Sequence, residues 1–158
     1  MVIQTPGEDL AGLECLTIIG GTLTIQHSDS LRTLTGLSGL AAVGEAIDII
    51  DNDALVDTGS FPALTTIGEA LWIRGNSALT QVTGFTALTA VDRLDVSYSP
   101  ALTDLSGLSA LTAVGSLDLE YNTQLATLDG LSSLTTIERL DVACLLYTSP
   151  SPRDGTKS

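Results

Sequence analysis

The stretch LDLEYNTQLATLDGLSSLTTI, residues 117 to 137, contains a pattern that recurs along most of the chain. An apolar pair at positions i and i+2 is followed by Asn or Ser at i+5 and by apolar residues at i+8, i+11, i+14, i+17 and i+20. Successive copies begin in steps of 24, 24, 23, 23 and 23 residues, at Leu23, Ile47, Leu71, Leu94, Leu117 and Leu140. Repeats of this length are typical of solenoids, in which each coil buries its apolar side chains only when a neighbour stacks on it.

The paired apolar positions alternate with polar ones, a period of two that predicts a short β-strand with the apolar side chains facing inward. The predicted strands are residues 23–26, 47–50, 71–74, 94–97, 117–120 and 140–143. Because equivalent strands of successive coils run in the same direction, we expect one parallel sheet, and parallel crossovers are nearly always right-handed. The sequence therefore predicts a right-handed β-solenoid.

A polar column follows each strand, made of Ser28, Asn52, Asn76, Ser99 and Asn122. In stacked coils this column turns the chain, and we expect its side chains to bond the backbone of the neighbouring coil, which burial would otherwise leave unpaired. The apolar ladder that comes next has a spacing of three without the fours of an α-helix. This spacing predicts short 3₁₀ or extended segments on the other sides of the solenoid.

The second coil departs from the repeat. Thr58 stands at an apolar ladder position, Ser60 fills a column that holds glycine in the other coils, and Gly59 is shifted by one place. We expect a local distortion at this point without a break in the solenoid.

These columns resemble the receptor L domain, a leucine-rich-repeat-like β-helix of growth-factor-receptor ectodomains and of fungal and bacterial surface proteins. The resemblance covers about nine-tenths of the chain and is carried by residues 117–137 together with LTIQHSDSLRTLTGLSGLAAVG (23–44) and LWIRGNSALTQVTGFTALTAV (71–91). It implies a leucine-rich-repeat-like solenoid and an extracellular or cell-surface recognition module. The family has no common catalytic residues, and its ligands differ from member to member.

The sequence divides into an N-terminal edge (1–9), the repeat solenoid (10–143) and a tail (144–158). The tail segment CLLYTSPSPRD, Cys144 to Asp154, resembles a translated transposase adapter of sequencing libraries, so we interpret the tail as non-native and the solenoid as cut within a repeat. A natural Ser/Pro-rich linker is the alternative.

A disulfide between Cys15 and Cys144 is rejected, because it would join opposite ends of the solenoid. Residues 1–9 lack the basic and apolar regions of a signal peptide.

The charge of the chain argues against two classes of partner. The whole chain has 19 acidic and six basic residues, and the tail contributes Asp154, Arg153 and Lys157. Residues 1–143 therefore carry 18 acidic and four basic side chains, a formal charge of −14. Such a chain should repel nucleic acid and anionic membranes. No stretch approaches the roughly 20 apolar residues of a membrane helix, so we expect no membrane insertion.

The sequence offers little that would support catalysis. His27 is the single histidine, and it has no Cys or second His at the spacing of metal ligands. No serine lies in a GxSxG elbow, and Gly20 and Gly21 lack the Lys and following helix of a phosphate loop. We therefore expect a protein that is not an enzyme and that needs neither a metal nor a cofactor.

The outward face of the predicted sheet carries a column of carboxylates. Asp95, Asp118 and Asp141 should stack at the strand spacing of about 4.8 Å, with Glu120 beside them. Like charges at that separation need compensation. Three interpretations remain open: a solvated acidic face, a Ca²⁺ site, which would need more converging oxygens than a flat ladder offers, or a face for a basic or amine-bearing ligand.

Trp72, the single tryptophan, should also point outward, and it marks the candidate binding site. Aromatic and Arg side chains commonly anchor recognition surfaces. The candidate ligand-binding residues are Asp48, Ile50, Trp72, Arg74, Asp95, Tyr98, Asp118, Glu120 and Tyr121. The alternative for Trp72 is that it merely covers a neighbouring strand.

The function predicted from these residues is recognition or adhesion, with an unknown and possibly basic protein or a glycan as ligand. A structural spacer is the main alternative. The 21 threonines raise a third, an ice-binding solenoid. A flat Thr array is needed for ice binding, whereas the strand face offers only Thr24. The other threonines fall in differing columns, among them Thr33, Thr80, Thr103 and Thr127.

Overall fold

The computed structural model describes residues 1–59 and 61–145, which form a parallel β-solenoid of about six turns. Seven strands form the main sheet: β1 Val2–Ile3, β3 Leu23–Gln26, β5 Ala46–Ile50, β7 Ala70–Arg74, β8 Ala90–Ser97, β9 Ala113–Asp118 and β10 Thr136–Asp141. Three short strands form a second parallel sheet: β2 Ile18–Ile19, β4 Ala42–Val43 and β6 Thr66–Ile67. The predicted fold class is confirmed.

The register of the main sheet matches the predicted repeat. Leu23 pairs with Ile47, Ile47 with Leu71, and Leu71 with Leu94, and all four side chains are fully buried. Residues 1–9, assigned from sequence only to an N-terminal edge, supply an additional strand. In it Val2 pairs with Thr24 of β3.

The change of repeat length from 24 to 23 residues has a structural cause. In the 24-residue coils a Gly–Glu corner separates the two sheets, at Gly44–Glu45 and Gly68–Glu69. The 23-residue coils have one residue fewer here, and β8, β9 and β10 run through the corner as continuous strands. The corner needs glycine, since a Cβ on residue 68 would lie 1.9 Å from the carbonyl oxygen of Gly44. The second sheet was predicted only as extended segments.

The ladder of apolar residues at spacing three forms turns rather than helices. Backbone N–H groups of Leu37 and Leu40 each bond the carbonyl three residues earlier, at 3.0 Å. Three coils contain a short 3₁₀ helix, at Thr35–Leu37, Ser106–Leu108 and Asp129–Leu131. The ladder side chains fill a continuous core that extends from Ile3 to Leu131.

The second coil is distorted locally, as predicted. Gly59 has a positive φ of 70°, and the Thr58 hydroxyl is buried without a hydrogen-bond partner among the described residues. Phe61 replaces the usual leucine and stacks on Phe85 of the next coil, with ring centroids 5.0 Å apart. The core is continuous across this coil. Ser60 lies outside the described residues.

The turn after every main-sheet strand except β1 contains a residue in the left-handed region. His27, Asp51, Tyr98, Tyr121 and Cys144 have φ between 50° and 56°, and Gly75, in the same column, has φ of 67°. This conformation costs a non-glycine residue on the order of 1 kcal/mol or more. It recurs after six successive strands, from β3 to β10 of the main sheet, so the turn itself imposes it.

The Asn and Ser column bonds the neighbouring coil, as the sequence predicts. Asn52 Oδ1 accepts a hydrogen bond from the Ser28 N–H at 3.1 Å, and Asn76 Oδ1 accepts one from the Asn52 N–H at 3.0 Å. The Asn52 side-chain amide donates to the carbonyl of Ile25 at 3.0 Å. These side chains are fully buried, so they satisfy backbone groups that water cannot reach.

The threonines are more ordered than the sequence interpretation allowed. Five occupy one column, immediately after the last leucine of the ladder: Thr17, Thr65, Thr89, Thr112 and Thr135. The hydroxyls of Thr112 and Thr135 donate to the carbonyl of the preceding coil at 3.1 and 3.0 Å. The threonines outside the strand face do fall in differing columns, as the sequence analysis states, but this column holds five of them and provides a further set of bonds between coils.

Cys15 and Cys144 are both exposed free thiols, so they form no disulfide with each other. The predicted tail begins at Cys144, and its residues 146–158 lie outside the described part of the chain. Among the described residues, no helix has the length and apolar character needed to cross a membrane.

Candidate recognition face

The outward columns of the main sheet bring most of the predicted site residues together. Trp72 lies on β7 with Asp48 of β5 as its partner on one side and Asp95 of β8 on the other. Asp95 pairs with Asp118, and Asp118 with Asp141, so the predicted carboxylate column is present in register. We call this outward surface of β5, β7, β8, β9 and β10 the sheet face.

Trp72 is half-buried and lies between two arginines. The guanidinium carbon of Arg74, two residues along the same strand, is 4.3 Å from the ring centroid, and that of Arg93 on β8 is 5.3 Å from it. Both distances suit cation–π attraction, which also holds the ring in place. Trp72 therefore belongs to a stacked Arg and Trp cluster on the sheet face.

Arg93 and Arg139 are site residues that the sequence analysis missed. They belong to one column with Ser116 between them, because Arg93 pairs with Ser116 and Ser116 with Arg139. The predicted strands began at the first inward residue, Leu94 in this coil, whereas β8 begins earlier, at Ala90. Inward and outward side chains alternate along a strand, and Arg93 lies two residues before the outward position of Asp95. Continuing the alternation to Arg93 would have placed it outward.

A groove of about 670 Å³ runs along this column. Trp72, Arg93 and Arg139 line it together with Ser116, while Glu69, Asp92 and Glu138 provide carboxylates. A smaller depression of about 220 Å³ shares Trp72 and the two arginines with it and includes Arg74, Asp118 and Asp141. Of the four arginines in residues 1–143, three line these two depressions.

Asp95 does not present an open carboxylate, which differs from the ladder expected from sequence. It is 1% exposed, forms an ion pair with Arg74, and accepts a hydrogen bond from the Ser97 hydroxyl at 2.6 Å. The hydrogen bond to Asp95 raises the pKa of Arg74. Part of the charge repulsion is therefore compensated internally, and the buried Asp95 holds Arg74, whose side chain is 43% exposed, at the surface.

Two other carboxyl groups of the sheet face, those of Asp118 and Glu120, have raised pKa values. Burial raises the pKa of Asp118, and the charges of Asp95 and Asp141 raise it further. Loss of hydration likewise raises the pKa of Glu120, with contributions from Asp118 and Asp141. One oxygen of Asp118, Oδ1, is buried and has no hydrogen-bond partner among the described residues. Arg74 and Arg139 offset only part of this effect, since the pKa of Asp118 stays raised.

Tyr98 and Tyr121 lie beside these carboxylates at the ends of their strands. Their rings stack with centroids 4.7 Å apart and an angle of 18° between the planes. Asp48, at the other end of the face, accepts a hydrogen bond from the Thr24 hydroxyl at 3.1 Å, and Ile50 pairs with Arg74 across the strands. Eight of the nine predicted site residues thus lie on the sheet face, and Asp95 is buried beneath it.

The arrangement is suited to binding, since it combines an aromatic and arginine cluster with hydrogen-bonding carboxylates along a groove. Among residues 1–59 and 61–145, no three or more His, Cys, Asp or Glu side chains are grouped to hold a metal ion.

Comparison with protein families, with curated proteins and with solved structures gives no match to this chain.

Proposed function

We propose that this chain is a non-catalytic recognition module that binds an extracellular protein or glycan on the sheet face. The observation that carries the proposal is the position of Trp72. It lies half-buried in a groove, with Arg74 and Arg93 against its ring. Tryptophan and arginine are the residue types that most often dominate binding energy at an interface.

The resemblance of the repeat to the receptor L domain supports the same proposal. It suggests a secreted or cell-surface location and a function in ligand binding. The face that carries Trp72 is also repeated in successive coils, and solenoids commonly bind partners along such extended surfaces. Within this proposal Asp95 supports Arg74 instead of contacting the ligand.

The test is a screen of the immobilised protein against a glycan array and a library of extracellular protein domains. Trp72→Ala should weaken a true ligand by about 2 kcal/mol or more, roughly thirtyfold in Kd. Leu128→Ala is the matched control, because Leu128 is a large apolar side chain, 41% exposed, that precedes a 3₁₀ helix away from the sheet face. Circular dichroism would verify that both variants are folded.

A structural spacer is the second candidate. It is favoured by the threonine column, in which the hydroxyls of Thr112 and Thr135 join successive coils and stiffen the solenoid. The two functions differ in the screen. A recognition module yields ligands that Trp72→Ala releases and Leu128→Ala retains, whereas a spacer yields none with that dependence.

A further inference from the structure

The exposed tyrosine pair is not explained by the needs of the fold. Tyr98 and Tyr121 are 53% and 44% exposed, so their rings contribute little to the core. Both occupy the left-handed turn column, in which other coils use His27, Asp51 and Gly75. The turn fixes the backbone and leaves the side chain free, so two stacked aromatic rings at this edge form a surface available to a ligand.

The charges next to the rings select the class of that ligand. Glu120 directly precedes Tyr121, and Asp118 lies on the same strand face two residues earlier. Arg74 and Arg139 share the smaller depression with Asp118, but Arg74 is already paired with Asp95. Among the described residues neither arginine forms an ion pair with Asp118 or Glu120, so the repulsion between these carboxylates would fall if a ligand brought a positive charge.

An aromatic ring and a carboxylate both attract cations, and together they favour guanidinium. Its planar group can stack on a tyrosine face while its N–H groups bond a carboxylate, whereas the ammonium group of lysine is a point charge. An anionic glycan or a nucleic acid would meet like charges here. A neutral sugar could stack on the rings and would leave the carboxylates uncompensated.

We propose that the surface formed by Tyr98, Tyr121, Glu120 and Asp118 binds the arginine side chains of a basic, extended segment of a partner protein. This inference rests on the proposed function, because it assigns a ligand chemistry to one end of the same sheet face. The subsite shares Asp118 with the smaller depression beside Trp72, but Tyr98, Glu120 and Tyr121 line neither depression, so the two can be tested separately.

The experiment uses an acetylated and amidated tri-arginine peptide, titrated into the full ¹⁵N-labelled protein and followed by amide chemical shifts. Shifts should concentrate at Tyr98, Glu120 and Tyr121. Glu120→Gln and Tyr98→Leu should each weaken binding about tenfold, the loss of one charge-assisted contact. The matched control is Asp129→Asn, which makes the same charge change on an exposed 3₁₀ residue away from the sheet face and should weaken binding less than about twofold.

Two further peptides define what would overturn the inference. The tri-citrulline analogue keeps the shape without the charge, and tri-lysine keeps the charge without the planar group, so both should bind more weakly than tri-arginine. Equal binding of either peptide overturns it, as does an equal loss on Asp129→Asn, which would indicate only long-range attraction by an acidic protein. A Trp72-dependent ligand found in the screen, together with a negative tri-arginine result, would reject this inference and leave the proposed function standing.

Discussion

Asn76→Ala tests whether the buried polar column holds the coils together and so supports the sheet face. Asn76 is fully buried, and its side chain makes three bonds to the backbone. Its Oδ1 accepts from the Asn52 N–H at 3.0 Å, and its amide donates to the carbonyls of Ile49 at 2.9 Å and Arg74 at 3.1 Å. Alanine removes all three and puts no polar group in their place.

The magnitude follows from the groups left without a partner. Each buried polar group that loses its partner costs about 1–3 kcal/mol, so loss of the bonds to Asn52 and Ile49 should reduce the free energy of unfolding by about 2–6 kcal/mol. Ser99→Ala is the matched control, since Ser99 is equally buried in the same column. Its hydroxyl makes a single bond within its own coil, to the Ser97 carbonyl at 3.4 Å, and losing it should cost about 1 kcal/mol or less.

The assay is urea unfolding followed by far-ultraviolet circular dichroism, with the slope m compared between variants. A lower m for a variant would indicate that coils have begun to unfold separately, as repeat proteins can. If Asn76→Ala is no more destabilising than Ser99→Ala, the column turns the chain without joining the coils, and the reasoning from hydrogen bonds is refuted.

The other stability predictions use the same assay or thermal unfolding. Leu111→Ala, in the middle of the ladder, should reduce the free energy of unfolding by about 2–5 kcal/mol through cavity formation, and a cost below about 1 kcal/mol would contradict close packing there. Gly68→Ala should lower the melting temperature well below that of Gly20→Ala, because a Cβ at residue 68 meets the Gly44 carbonyl at 1.9 Å while one at residue 20 meets nothing within 4 Å. Asp118→Asn should stabilise the protein at neutral pH, since the folded-state pKa of Asp118 is raised above 3.8. Below pH 3.8 the carboxyl is protonated in both states, and the folded state loses stability as pH rises through the raised pKa. The Asn variant cannot ionise, so its melting temperature should exceed that of the parent protein by an increasing margin from acid to neutral pH. Equal melting temperatures at neutral pH would contradict this.

The candidate site was partly predictable because strand parity is a local property. Alternation placed Asp48, Trp72 and Asp118 outward, and the structure puts them on one face. Arg93 was missed because the strand begins before its apolar pair. The burial of Asp95 could not be predicted, since it depends on the side chain of Arg74, which reaches across from the neighbouring strand.

The sequence by itself determined the repeat, the parallel sheet, the inward side chains and the bonding column, because each depends on a pattern that recurs in every coil. The right-handedness of the solenoid stays a prediction, which rests on the usual chirality of parallel crossovers. Only the tertiary structure decided which residues of different coils meet: the Arg and Trp cluster, the stacked tyrosines and the threonine column. Trp72 and Arg93 are 21 residues apart, and Tyr98 and Tyr121, like Thr112 and Thr135, are 23 apart, so each contact depends on the register between neighbouring coils. The repeat gives such residues equivalent positions, and only stacking of the coils in register brings their side chains into contact.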